Sequence, residues 1–398
     1  MFQDFASSPK TSPGPETAYF LDWLNERVLT TETRVRAGKL FARLAAAASP
    51  LTRLQTTPQT PPYHAEGDFV ADHVKRILSG LDALEHGESL AEVEEFAREK
   101  DYLLEFYDLE QTLKTQSAWL VAYAVCHDLA KAESLWFEAA PGSKGEAEGF
   151  VSKTPHEATA PEKVRYDKLK RAHEVAGSSL SFYADYQIVV HYSDHARRAA
   201  SDEYASTREA VLNELDVPLS KAKLLTELIR CHMEVIHGFK QGPDPVKYRA
   251  LAAVAERIGL NVAVFLDLLP ACLFLDAVLG SLVYEEGEPK ADLHLLLNLF
   301  KSEREVMPAR HAAREQALKR GRKAALNEAL ALAKIDADSV FELLKTPYGP
   351  VRGEVMARVH HLIRDPNSPA DFGEQTEELR QRARVAHKLV NEQHLTIE

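Results

Sequence analysis

The chain is expected to be all-α, and three observations lead there. Apolar residues recur at helical spacing in one segment after another. The breaks between these segments fall at Pro and Gly, where a helix cannot easily continue. No stretch of any length alternates apolar and polar residues as a half-buried strand would, and no repeat recurs at a fixed period.

Composition narrows the class without naming a function. The 398 residues suffice for one large domain or two to three average ones, 45% are hydrophobic, and 27% are charged. Sixty Asp and Glu against 48 Lys and Arg give a net charge of -12, which argues against a surface built to wrap long nucleic acid. A small phosphorylated substrate held by metal ions is compatible with that charge. Cys126, Cys231 and Cys272 lie far apart in apolar stretches and read as reduced, buried thiols, not a disulfide framework or a zinc finger. The first residues show neither a basic start nor an apolar run, so a cytoplasmic location is expected. The apolar run from Asn261 to Tyr284 carries Asp267, Pro270 and Asp276, which favours a buried core helix over a membrane span.

In chain order, residues 1–15 are expected to be a mobile tail, and 16–60 an N-terminal helical arm and connector. The arm is helical from Glu16 to Ala48. The connector, SPLTRLQTTPQTPP from Ser49, holds four Thr and four Pro and should be extended. Asp68 is placed to cap a helix from Phe69 to about Leu84, whose face carries Val70, Val74, Ile77, Leu78 and Leu81 together with His73. After a segment of alternating charge (Ser89 to Phe106), a run that is apolar at every position, Ala118 to Val125, closes on Cys126-His127-Asp128-Leu129-Ala130-Lys131. Pro141 to Pro161 reads as an exposed loop and a candidate lid.

Glu162 to Tyr186 should form the next helix, with Leu169, His173, Ala176 and Leu180 on one face. QIVVHYSDHARR, with His191, Asp194 and His195, is polar and does not declare its type. Leu219 to Phe239 is a strongly amphipathic helix with His232 in phase with its apolar stripe. Helices from Val246 to Ile258 and from Asn261 to Val283 follow, the second carrying Asp276. From about 286 to 398 a further helical region is expected. Residues 301–334 carry nine Lys or Arg against four Glu, and Arg320, Arg322 and Lys323 there are candidate nucleic-acid contacts beside the plainer reading of a solvated helix face.

His73, His127, Asp128, His173, His232 and Asp276 therefore stand on the apolar faces of five helices. A bundle turns such faces together, so the six can converge. Imidazole nitrogen with carboxylate oxygen suits Mn, Fe, Zn, Co or Ni, and two carboxylates allow one to bridge a pair of ions. Each residue alone is more often a satisfied core group, but six together are costly to bury unless a cation satisfies them.

The order His, His-Asp, His, His, Asp resembles the HD superfamily of metal-dependent phosphohydrolases. It is most similar to the HD domain attached to bacterial tRNA nucleotidyltransferases and related poly(A) polymerases. The resemblance rests on PQTPPYHAEGDFVADHVKRIL, CHDLAKA, RAHEVAGSSL, IRCHMEVIHGF and LFLDAVLG, over about residues 50–285. It implies an HD-type helical bundle over 61–285 with additional N- and C-terminal helices. No Gly-Ser followed by paired aspartates precedes His64, so the expectation is the hydrolytic half without the polymerising half. The resemblance further implies that His73, His127, Asp128 and Asp276 hold a primary divalent ion, with Asp128 able to bridge. His173 and His232 would serve a second, and Lys131 would meet a substrate phosphate. Ala130 stands where the family usually has Gly. His237, turned about 140° around the helix from His232, is a competing ligand. His64, Glu66 and Asp68 are expected to orient the loop or the ligands. The activity implied is hydrolysis of nucleotide or RNA-end phosphoesters, as 2′,3′-cyclic phosphates or phosphomonoesters, through a metal-activated water. The alternatives are a nucleotide-binding module without turnover, or a nucleic-acid accessory protein docking through its basic helix.

Overall fold

The computed structural model describes residues 20, 22–90, 101–151, 160–173, 179–285, 288–369 and 371–392. The expected tail at 1–15 lies outside the described residues, as do 91–100 of the charged segment and 152–159 of the candidate lid. Helix makes up 72% of the structure and strand 5%, with no closed sheet, so the chain is all-α.

Thr30 caps α1 (Thr31–Ala47), its hydroxyl accepting from the Thr33 amide at 3.2 Å. The helix predicted from Glu16 does not run unbroken, since Leu24–Val28 forms a single wide turn and Leu29 and Thr30 leave the helix. In α2 (Val70–Glu85) the predicted stripe is buried, with His73 among it. Asp68 does not cap this helix. Phe69 takes that place, held extended by a bridge to Pro58. Asp72 reaches back to accept from the Asp68 and Phe69 amides at 3.1 and 3.0 Å. Asp68 pairs with Lys170 at 2.8 Å instead. After α3 (Leu103–Thr115), α4 (Ser117–Cys126) is buried from Trp119 to Cys126. Neighbours on every side explain why its sequence shows no polar face.

The chain then makes an excursion with a core of its own. It comprises β1 (Leu135–Ala139), α5 (Ala160–His173), α6 (Ser179–Tyr186) and β2 (Ile188–Tyr192). The strands pair antiparallel with Leu135 opposite Tyr192, where the sequence showed no strand alternation; the middle of the helix predicted to Tyr186, residues 174–178 with Ala176, lies outside the described residues. Leu135, Phe137, Ile188 and Val190 from alternate positions join Phe150, Tyr166 and Phe182 in a small hydrophobic cluster. Gly145 and Phe150 anchor the described part of the candidate lid there, while most of its other described residues are exposed as expected.

The chain returns through α7 (His195–Ala199), α8 (Ala205–Glu214) and α9 (Ala222–Phe239) to α10 (Pro245–Arg257). The next helix, α11 (Val262–Gly280), is capped by Asn261 and widens into broader turns over Phe274–Gly280. It is long and apolar enough to cross a membrane, and most of it is buried inside this unit. A short ribbon, β3 (Val283–Glu285) with β4 (Glu288–Lys290), precedes α12 (Leu293–Val306).

A break between Met307 and Pro308 divides the chain into two units. The boundary expected at 285/286 shifts there because α12 sends Leu296, Leu299 and Phe300 into the first unit's core. Residues 16–60 are not a separate arm either, since Trp23, Leu24, Phe41, Leu44, Leu51 and Leu54 are buried in that same core. The second unit contains α13 (Pro308–Leu332), α14 (Ala337–Leu343), α15 (Val351–Arg364) and α16 (Thr376–Glu392). They pack around Leu330, Ile335, Val340, Val359, Leu362, Ile363 and Leu379.

This division makes a prediction about truncations. A chain ended after Met307 should keep a cooperative thermal transition, whereas one ended after Glu285 loses six large buried side chains from the core, Leu293, Leu295, Leu296, Leu297, Leu299 and Phe300, and should not. Scanning calorimetry of the two fragments checks this, and equal transitions would return the boundary to 285.

Candidate metal centre

Five segments of the first unit deliver ligand-type side chains to one buried point. His73 comes from the middle of α2, and His127 and Asp128 from the end of α4. His195 comes from the start of α7, His232 from α9, and Asp276 from the widened part of α11. All six are under a tenth exposed. His73 Nε2 lies 3.3 Å from His127 Nε2 and 3.4 Å from Asp276 Oδ1. His127 Nε2 is 3.2 Å from Asp128 Oδ2 and 3.6 Å from Asp276 Oδ1. On the other side of the same carboxylate, Asp128 Oδ1 is 3.4 Å from His195 Nε2, which is 3.2 Å from His232 Nε2.

The far side of each ring fixes its orientation. His127 Nδ1 donates to the Ala124 carbonyl at 2.9 Å, His232 Nδ1 to Ile229 at 2.6 Å, and His195 Nδ1 to Tyr192 at 3.2 Å. A carbonyl only accepts, so the Nδ1 proton is committed and each neutral ring turns the lone pair of Nε2 inward. His73 Nδ1 faces Glu66 Oε1 at 3.5 Å. Trp119, Tyr123 and His127, four residues apart along α4, stack in a column with centroids 6.4 and 5.3 Å apart, holding the His127 ring in place. Gly280 lets α11 approach, for a Cβ there would come within 2.5 Å of His73 Cε1.

Without a metal ion this arrangement relies on the proton held by His127. The neutral His195 and His232 turn their Nε2 lone pairs toward each other at 3.2 Å, and the Nε2 atoms of His73 and His127 face each other at 3.3 Å across the proton that His127 holds. Neither oxygen of Asp128 accepts a hydrogen bond of good geometry. Lys131 Nζ, 2.9 Å from Asp128 Oδ2 and 4.8 Å from the Tyr192 ring centre, neutralises one carboxylate of the two. Ligand atoms about 2.1 Å from an ion stand roughly 3.0–3.5 Å apart as neighbours in its shell, which most of the separations match, His127 to Asp276 at 3.6 Å and His73 to Asp128 at 4.0 Å being longer. His73 with His127 and Asp128, and Asp128 with His195 and His232, are thus two groups that could hold a metal ion, sharing one aspartate.

Titration follows the same division. Burial pulls the His127 ring toward neutrality, but the carboxylates of Asp128 and Asp276 outweigh it and hold its pKa at about 10. Burial also lowers His195, to about 3, with Asp128 opposing and Lys131 and His232 adding to the drop. Both aspartates sit well below the usual carboxylate range, held there against burial chiefly by His127.

The remaining sequence candidates are placed as follows. His173 does not reach the cluster. It bonds Asp185 at 2.9 Å and meets the rings of Phe182 and Tyr186 at 5.5 and 6.0 Å, within the excursion's own small core. Its shared face with Leu169 is real, but that face packs on the excursion and not on the bundle. His195 stands in the position expected of it. The available signal was the buried Ala196 and Ala199 beside His195, a one-turn apolar face too short to register as periodicity. His237 is exposed beside Lys240 and Lys247 and belongs to neither group. His64 Nδ1 bonds Glu66 at 2.8 Å. Glu66 also accepts from the Leu282 amide at 2.9 Å, tying the loop to the exit of α11. Arg320 and Lys323 are exposed on α13 in the second unit, and the side chain of Arg322 lies outside the described residues.

Two outcomes check the geometry. His195→Ala should lower the metal bound per chain, while His173→Ala should leave it unchanged, by elemental analysis after gel filtration. Asp128 and Asp276 raise the His127 pKa well above neutral, so metal taken up through its Nε2 is expected to displace a proton. Calorimetry in buffers of differing ionisation enthalpy should show proton release, and affinity should strengthen as pH rises from about 6 to 8.

No family model, curated protein or solved structure matches this chain.

Proposed function

We propose that the chain is a metal-dependent phosphohydrolase of the HD type, acting on phosphoesters of nucleotides or RNA ends. The observation that carries this reading is Asp128, buried with one oxygen toward His73 and His127 and the other toward His195 and His232. That is the arrangement in which one carboxylate serves two ions, with Asp276 completing the first group and Lys131 beside both. Mn, Fe, Zn, Co and Ni all suit imidazole with carboxylate. A divalent ion held there supplies Lewis acidity, acidifying a water and drawing charge from phosphoryl oxygens.

The chain's own groups do the rest. Tyr192, Ala124 and Ile229 orient three imidazoles through their carbonyls, and Glu66 backs the fourth. Lys131 brings a positive charge to the side of Asp128, where a phosphate drawn to the cluster would meet it. No serine or cysteine nucleophile is required: burial raises Cys126 to about 12 and raises Cys231 and Cys272 as well, keeping all three as thiols. One observation favours the second reading, a nucleotide-binding module without turnover. The ligand groups are deeply buried and Lys131 is already engaged with Asp128.

A substrate panel decides between them. With metal added, Asp128→Asn should lose bound metal and at least about 100-fold in phosphoester hydrolysis, more than loss of an outer partner costs. Lys131→Ala should keep its metal and lose about 10–100-fold in kcat/KM. Stoichiometric nucleotide binding with no hydrolysis of any cyclic or terminal phosphoester by the wild type would favour the binding module.

A further inference from the structure

The loop that carries His64 and Glu66 also presents an aromatic ring to solvent. Tyr63 is 37% exposed, the residue just before His64, whose ring lies 5.6 Å from that of His73. Tyr63 is braced by His191, 6.5 Å away, which itself stacks on Trp136 at 4.3 Å. The Lys240 ammonium stands 5.8 Å from the Tyr63 ring centre. Glu138 lies on the same side and, with burial, raises the Tyr63 phenol.

This rim is joined to the cluster by a single helix face. His232, Ile236 and Lys240 follow at intervals of four, so they form one stripe leading outward from the metal ligands. Eight residues of helix make about 12 Å. The far end of that stripe meets Tyr63, which the loop holds in register because the Tyr284 amide donates to the Pro62 carbonyl at 2.8 Å and the Ala65 amide to Leu282 at 2.7 Å. A planar ring with a cation beside it, one short span from a phosphate-directed cluster, matches a molecule with a planar base at one end and a phosphate at the other.

We propose that Tyr63 forms a distal subsite where the base of a nucleotide stacks while its phosphate lies at the His/Asp cluster. This rests on the phosphoester reading above and assigns the part of the substrate remote from the scissile bond. Lys240 and Lys131 supply positive potential along the path. Stacking on one ring tolerates any base, since every base has a π face, so the subsite selects nucleotides from other phosphoesters without selecting among bases.

The test uses the full chain with its metal and two non-hydrolysable probes, the methylene phosphonate analogues of adenosine monophosphate and of ribose 5-phosphate. They share the phosphate and the sugar and differ in the base. Titration calorimetry of the wild type should find the adenosine analogue bound about 10-fold tighter, the scale of one base stacked on one ring. Tyr63→Leu should bring that ratio near one, and Tyr63→Phe should preserve it. Equal affinities in the wild type, binding of neither probe, or a ratio that survives in Tyr63→Leu would each overturn the subsite. Hydrolysis is read separately on the natural esters. A protein that shows the ratio but no turnover keeps the subsite and loses the hydrolase reading, and one that hydrolyses both esters with a ratio of one does the reverse.

Discussion

The first unit depends on how Asp128 is satisfied. Its carboxylate is 1% exposed, stays ionised, and lies between two pairs of imidazoles whose Nε2 atoms face each other. Burying an anion without compensation costs several kcal/mol, and in the absence of metal Lys131 and a protonated His127 are the charges that offset Asp128 and Asp276. The helices around the cluster are arranged to hold this unfavourable group of atoms in place. Backbone carbonyls orient the rings, the aromatic column on α4 fixes His127, and Gly280 opens the space that His73 fills. Such a network is stable when a cation completes it and strained when none does.

The architecture explains how side chains so far apart in sequence meet. α2, α4, α9 and α11 bury their apolar faces in one core, and each brings its His or Asp from that face. The fifth contributor arrives differently. Between Lys131 and His195 the chain leaves the core, builds a two-stranded ribbon with its own hydrophobic cluster, and returns. The Ser193 amide donates to the Ser134 carbonyl at 2.9 Å, closing the excursion at its base. Asp194 then turns through a left-handed conformation, and His195 enters the site as α7 begins.

Much of this was legible in the sequence where a ligand sat on a long amphipathic or fully apolar helix. The stripes around His73 and His232 and the run before His127 carried the periodicity that marks burial, so those residues and Asp276 could be placed. His173 and His195 could not be told apart in that way. His173 lies on a convincing helical face, but periodicity reports that a face is buried and not which core buries it. His195 lies on a helix of five residues after a strand, where neither period is long enough to read. The cap of α2 failed for a related reason. Asp68 has the right residue type and spacing, but the bridge from Phe69 to Pro58 advances the helix start by one residue and leaves Asp68 to Lys170. The unit boundary at Met307 was hidden too, because Lys301 and Arg304 at the end of α12 begin the basic stretch that continues past it, while the leucines and Phe300 of its first half are buried in the first core.

The central claim is that Asp128 joins two cation sites. Anomalous diffraction from crystals of the full chain grown with manganese tests it most directly. Two peaks are expected, one among His73, His127, Asp128 and Asp276 and one among Asp128, His195 and His232, with Asp128 touching both. A map with no peak in the cluster, and with waters bonded to the four Nε2 atoms, would contradict the account.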